Sequence, residues 1–278
     1  VTAINSPSLC GYYGKVPARA DFVGTRLRRE TVERWDLWLQ EGLAESQRRI
    51  GDAWQDLFFA APIWRFILPA GACSRTGLMG ILMPSVDSVG RCFPLMLGHE
   101  IEGPVDPLAL MSGSGRWFAA AEDLALAALG EGFELDDLNR ILPGWREMPH
   151  AIDRNALRPA GSQAARGDVG AWMALPLASA ATAMAAAATL AASWAPGATA
   201  WPGIWWTAGT QSTASAPGLA PGLAISRGLV SSGGFAALLD GRWVDHGWTV
   251  PAAGRLERDD PHITGQGPGG GGDWERPA

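Results

Sequence analysis

The sequence predicts an α/β fold, a three-layer sandwich whose central sheet is covered by helices on both faces. Short apolar runs bounded by Gly, Pro, Ser and Asp read as strands. These runs are apolar almost without interruption, so both faces of the sheet they build are buried. Longer stretches with apolar residues at helical spacing lie before and after them and supply the covering layers.

Taken in order, residues 11–23 (GYYGKVPARADFV) form a charged hairpin turned at Pro17 and carrying the single lysine of the chain, Lys15. A helix follows over residues 30–51, where Val32, Trp35, Leu39, Leu43 and Ile50 recur at helical spacing. Thr31 is placed to cap its start, and Arg48 and Arg49 suit the negative end of its dipole. A second helix over 52–61 opens with Asp52 and Gln55 at capping-box spacing and stops before Pro62.

Strands are predicted at 63–68 (IWRFIL), 77–83 (GLMGILM) and 92–101 (CFPLMLGHEI), then helices at 116–129 and 134–142. Residues 143–170, rich in Pro, Gly, Arg and Asp, mark a domain boundary. Beyond it, the alanine-rich run 178–195 approaches the length of a membrane span. Ser179, Thr182, Thr189 and Ser193 interrupt it, and alanine favours an ordinary packed helix. Strands at 203–209 and 222–229 and a helix at 234–241 complete the pattern. The expected division is an N-terminal α/β domain over 1–145, a C-terminal α/β extension packed on it over 146–245, and a flexible Gly/Pro-rich tail over 246–278.

With 278 residues, the chain buries roughly three quarters of its unfolded surface and needs no disulfide or metal to hold it. A net charge of -6 supplies no global attraction to nucleic acid or to an anionic membrane. Cys10, Cys73 and Cys92 are odd in number and form no CxxC, which reads as buried thiols in a reducing compartment. The first residues lack the basic and apolar regions of a secretory signal, so a cytoplasmic location is expected.

Catalytic patterns are sparse. Gly11, Gly14 and Lys15 give GxxGK followed by Val16, two residues short of a phosphate-binding loop and without its Ser or Thr. His99, His150, His246 and His262 form neither HxH nor HxxxH, and GxSxG is absent, so no metal or other cofactor is expected. The second polar cluster is residues 83–95 (MPSVDSVGRCFPL), where Ser85, Asp87 and Arg91 occupy a turn and Gly90 permits a positive φ. Lys15, Ser85 and Asp87 could make a nucleophilic or nucleotide-binding site of a hydrolase. The plainer reading has Ser85 and Asp87 satisfying loop N–H groups while Arg91 pairs with a carboxylate. The 14 tryptophans fit a core, yet Trp and Arg also dominate protein–protein hot spots, and Trp64 abuts Arg65.

These residues resemble the TagF (ImpM) family associated with bacterial type VI secretion. GYYGKVPARADFV, WDLWLQEGLAES, AWQDLFFAAPIWRFIL and GILMPSVDSVGRCFPL look like its counterparts over residues 11–97, with weaker likeness at GIWWTAG and FAALLDG. Ala20 stands where glycine is usual in the family, a strain only if that residue is left-handed. The resemblance implies an α/β sandwich and a non-enzymatic, post-translational repressor of secretion-system assembly in the cytoplasm. It also implies a forkhead-associated protein as partner, in a phosphorylation-dependent switch. Some members are fused to a PppA-type phosphatase, whose metal-binding Asp motif this chain lacks. A structural accessory subunit of the apparatus is the alternative within the same context.

The expected partner-binding residues are Lys15, Arg19, Asp21, Trp64, Arg65, Ser85, Asp87 and Arg91. Lys15, Arg19 and Asp21 are read as a rigid polar rim beside the PSVDSVGR loop, stiffened by Pro17, whose cations could be reversed without loss of stability.

Overall fold

The computed structural model describes residues 9–103, 106–145, 172–177, 183, 186, 187, 202–214 and 216–250. Their strands are β1 (Leu9–Gly14), β2 (Val23–Thr25), β3 (Trp64–Leu68), β4 (Gly77–Met83), β5 (Leu95–Ile101), β6 (Trp172–Pro176), β7 (Gly203–Thr207) and β8 (Gly222–Ser226). All eight join one sheet in the order β2-β1-β5-β4-β3-β7-β8-β6. Every pairing is antiparallel. β3 pairs with β7 in the register Arg65↔Trp206, so strands from both sides of residues 143–170 share the sheet.

The helices with bounds among the described residues are α1 (Arg29–Ile50), α2 (Trp54–Ala60), α3 (Pro107–Gly113), α4 (Gly115–Ala127), α5 (Leu135–Ile141), α6 (Ser232–Phe235) and α7 (Ala237–Asp240). Because side chains alternate along a strand, neighbouring residues enter different cores. Ile67, Met79, Ile81, Leu95, Leu97 and Ile204 pack with residues of α3, α4 and α5. Phe66, Leu68, Leu78, Leu82, Met96 and Trp205 pack with α1, α2, α6 and α7. This double burial is why the strands read as continuous apolar runs.

Most of the buried tryptophans serve the second core, while Trp117 and Trp206 lie in the first. Trp35, fully buried, lies 4.7 Å from Trp38, 4.9 Å from Phe66 and 6.3 Å from Trp205 between ring centroids. Such pairs add about 0.5–1.5 kcal/mol each beyond the area they bury. Indole N–H groups also reach across the chain, from Trp38 to the Val230 carbonyl at 2.6 Å and from Trp64 to the Leu238 carbonyl at 2.9 Å. Gly42 is needed on α1 because a Cβ there would meet the Phe235 ring at 2.6 Å.

Both predicted caps are replaced. Thr31 lies inside α1, and its hydroxyl donates to the buried Glu100 of β5, which also accepts the Arg28 backbone N–H at 3.0 Å. A carboxylate from the sheet thus does the capping that Thr31 was expected to do. Asp52 makes no capping bond: Gly51, at φ 72, ends α1 and feeds a 3-10 turn, Gly51–Ala53, that leads straight into α2. Two further elements went unread. α3 carries a clear start, with Pro107 at its first position and the Asp106 carboxylate accepting from the Leu108 and Ala109 N–H groups. β6 is the other.

The helix expected at 234–241 is two short ones, α6 and α7. Of the alanine-rich run, Ala183, Ala186 and Ala187 are described; they are helical, and Ala183 and Ala187 are buried in the first core. Residues 146–170 and 251–278 lie outside the described residues. Among the described residues no helix is long and apolar enough to cross a membrane.

Candidate functional site

The β1–β2 hairpin loop and the loop joining β4 to β5 meet because β5 pairs with both β1 and β4. The register aligns Tyr13 with Met96 and Met83 with Leu95, so the end of β1 and the end of β4 flank the start of β5 at one end of the sheet. The backbone there leaves no room for side chains. A Cβ at Gly14, which sits at φ 144, would come 2.1 Å from the Pro94 carbonyl oxygen, and one at Gly11 would come 2.2 Å from that of Thr25. The glycines that imitate a phosphate-binding loop are there for strand packing.

Lys15 and Asp87 close the two loops onto each other, Nζ to Oδ2 at 2.6 Å, with Lys15 5% exposed and Asp87 2%. The carboxylate is fully occupied. Its Oδ2 also takes Arg91 Nε at 2.6 Å, and its Oδ1 takes the Val89 and Arg91 backbone N–H groups at 3.1 and 2.9 Å. Burial by itself pushes the Asp87 carboxyl up. The Lys15 ammonium, the Arg91 backbone and guanidinium, and the Val89 N–H outweigh it and hold the pKa well below the usual carboxylate range. Gly90 makes the turn possible at φ 86.

Three further bonds stitch the loops together. The Ser85 hydroxyl donates to the Lys15 carbonyl at 2.7 Å, the Ser88 N–H to the Arg19 carbonyl at 2.9 Å, and Arg91 Nη2 to the Ala20 carbonyl at 2.5 Å. Above them the Lys15 ammonium lies 4.9 Å from the Phe22 ring centroid, and Phe22 packs edge-on against Phe93 at 4.7 Å. Ala20 has no positive φ, since Arg26 is the one non-glycine residue with it among the described residues. Alanine therefore fits there without strain.

The eight predicted site residues separate. Lys15, Ser85 and Asp87 form the buried interior of this clasp, where a presented rim was expected. Arg19 and Asp21 remain exposed on the hairpin and line, with Tyr12, Phe22, Leu135 and Asn139, a cavity of about 460 Å³. Arg91 spans inside and outside: its Nε is bound, yet 60% of its side chain is exposed. Trp64 is 2% exposed in the second core, edge-on to Trp243 at 5.8 Å. Arg65 lies on the other face of the sheet, in a two-pronged pair with Glu122 at 2.6 and 2.7 Å and 5.6 Å from the Phe118 ring. Sequence reasoning missed Phe22 and Val89, 47% and 67% exposed on the two clasped loops. The signal was available, since each is an apolar residue in a turn between charged ones.

Hydrolytic chemistry needs the Ser85 oxygen beside a base and open to a pocket. Instead it is 2% exposed and gives its proton to a backbone carbonyl, while the Lys15 amine is held by Asp87. Among the described residues no group of His, Cys, Asp or Glu is arranged to hold a metal ion.

Fold and polar centre together define a mixed α/β protein in which charged residues lock two loops of an antiparallel sheet, with no enzymatic constellation evident among the described residues. Residues 11–143 match the TagF N-terminal domain, Type VI secretion system-associated. The chain is also similar to the crystal structure of PA0076 from Pseudomonas aeruginosa PAO1, at 28% identity and a TM-score of 0.63. That likeness covers 87% of this chain and 97% of the other. No match was found among curated proteins.

Proposed function

We propose that this protein is a cytoplasmic, post-translational repressor of type VI secretion system assembly, acting by binding another protein and not by catalysis. The family that residues 11–143 match supports the secretion context. The observation that carries the binding reading is the division of the clasp into inside and outside. Its interior charges neutralise one another, while Arg19, Asp21, Phe22, Val89 and Arg91 stand exposed on backbone that is already hydrogen-bonded in place. Presenting side chains from pinned backbone removes part of the ordering entropy that association otherwise costs. Two cations beside two exposed apolar groups are a mixed surface of the kind proteins recognise.

In this reading the partner is a forkhead-associated component of the same secretion system, and no nucleic acid, membrane or cofactor takes part. The two cores are the interlayer spaces of a three-layer sandwich, and residues 146–245 extend the N-terminal domain. Hydrogen exchange of the full chain with and without the purified forkhead-associated protein tests the site. Added protection at residues 18–22 and 87–91 is expected. Binding with no change at either loop would overturn this assignment.

A further inference from the structure

At the same end of the sheet, beyond Pro84, lies a second surface that the clasp does not use. The ends of β3, β4 and β7 and the helices α2 and α4 enclose a groove of about 380 Å³. Phe59, Leu126 and Leu129 line it while 50%, 53% and 38% exposed, and Pro62, Ile63 and Pro84 continue its apolar wall. Three of the eight large apolar side chains exposed among the described residues thus converge on one depression. Contiguous apolar surface of this kind marks an interaction site.

Charge around the groove indicates what fits it. Asp56 stands three residues before Phe59 on α2, Asp123 three before Leu126 on α4, and Glu131 two after Leu129, all three exposed. None of these carboxylates forms an ion pair among the described residues. Arg65, the cation next to the groove, is already held by Glu122. By helical spacing Asp56 and Asp123 place negative charge at the rim, just outside the lining residues, and the lining itself is mostly apolar, with Glu122, Thr207 and Thr210 as its polar members. We propose that the groove receives the apolar face of an amphipathic helix from a partner protein, flanked by Lys or Arg. A helix laid in a groove anchors through residues at i, i+3 or i+4, and i+7, and basic flanks would meet the acidic rim. A second copy of this chain would bring net negative charge to the same rim and is disfavoured. The proposal is independent of the clasp reading.

The test titrates the full chain into a fluorescently labelled synthetic peptide carrying leucines at those spacings and lysines on its flanks, with a glutamate-flanked copy as control. The lysine peptide should bind at least about tenfold more tightly than its control, with the gap closing in high salt. Leu126→Glu should weaken it about tenfold or more, and Asp123→Lys, an exposed change that spares packing, should weaken it less. Val89→Glu, on the clasp, should leave it unaltered. Equal binding of the two peptides, or no effect of Leu126→Glu and Asp123→Lys, would overturn the proposal. So would a self-association in solution that Leu126→Glu abolishes, because the occupant would then be a second copy.

Discussion

Lys15 and Asp87 lie 72 residues apart in sequence and 2.6 Å apart in space, both almost wholly buried. The pair fastens two loops whose meeting is fixed by the β1–β5–β4 register. Breaking one side of a buried ion pair strands the other charge. Asp87→Ala leaves the Lys15 ammonium and the Val89 and Arg91 N–H groups without their acceptor, so it should lower the melting temperature by about 10 °C. Lys15→Met should cost less, because Arg91 and the loop amides still hold the carboxylate. Charge reversal at Lys15 should also destabilise, in contrast to the expectation from sequence. Thermal unfolding by circular dichroism ranks the three variants.

Acid should act through the same carboxylate. Asp87 keeps its charge to lower pH in the fold than in the unfolded chain, where aspartate titrates near about 4. Its stabilising contribution is complete above that value and is lost as pH falls through it towards the depressed folded pKa. The stability gap between the native chain and Asp87→Asn should therefore be largest near neutrality and shrink below about pH 4. Urea midpoints at pH 7, 5, 4 and 3 measure it.

The two glycine environments make a matched comparison. Gly90 has φ 86 with nothing within 4 Å of an added Cβ, so Gly90→Ala should cost about 1–2 kcal/mol of backbone strain. Gly14→Ala adds a 2.1 Å collision with the Pro94 backbone to its own positive φ and should cost clearly more. Denaturant unfolding of both variants gives the difference.

Thiol chemistry reads out burial. Burial pushes the Cys10 and Cys73 thiols up to about 12, whereas Cys92 is only half-buried. A thiol reagent at pH 8 should modify Cys92 first and reach Cys10 and Cys73 only on unfolding, because the thiolate is the reactive form. Mass spectrometry of the labelled peptides identifies the order.

Much of the fold was legible in the sequence because both sheet faces are buried. The run 77–83 matches β4 residue for residue, and the 63–68 and 203–209 runs differ from β3 and β7 only at their ends. α3, at seven residues, is too short to display a period, although Asp106 and Pro107 announce its start. The Thr31 cap failed because Glu100, distant in sequence, competes for the same helix end. The site was legible as residue types in two turns, including the positive φ of Gly90. Which charges face inward was not. A lysine is exposed by default, and only the strand register that brings Asp87 to it reverses that.

The claim with most resting on it is that the clasp's interior holds the fold while its exterior meets a protein. Affinity for the proposed forkhead-associated partner and melting temperature, measured together on two pairs of variants, test it most directly. Lys15→Met and Asp87→Asn should lower the melting temperature. Arg19→Glu and Val89→Glu should leave it within a degree or two and weaken binding about tenfold or more. Undiminished affinity in both Arg19→Glu and Val89→Glu, with the fold intact, would contradict it.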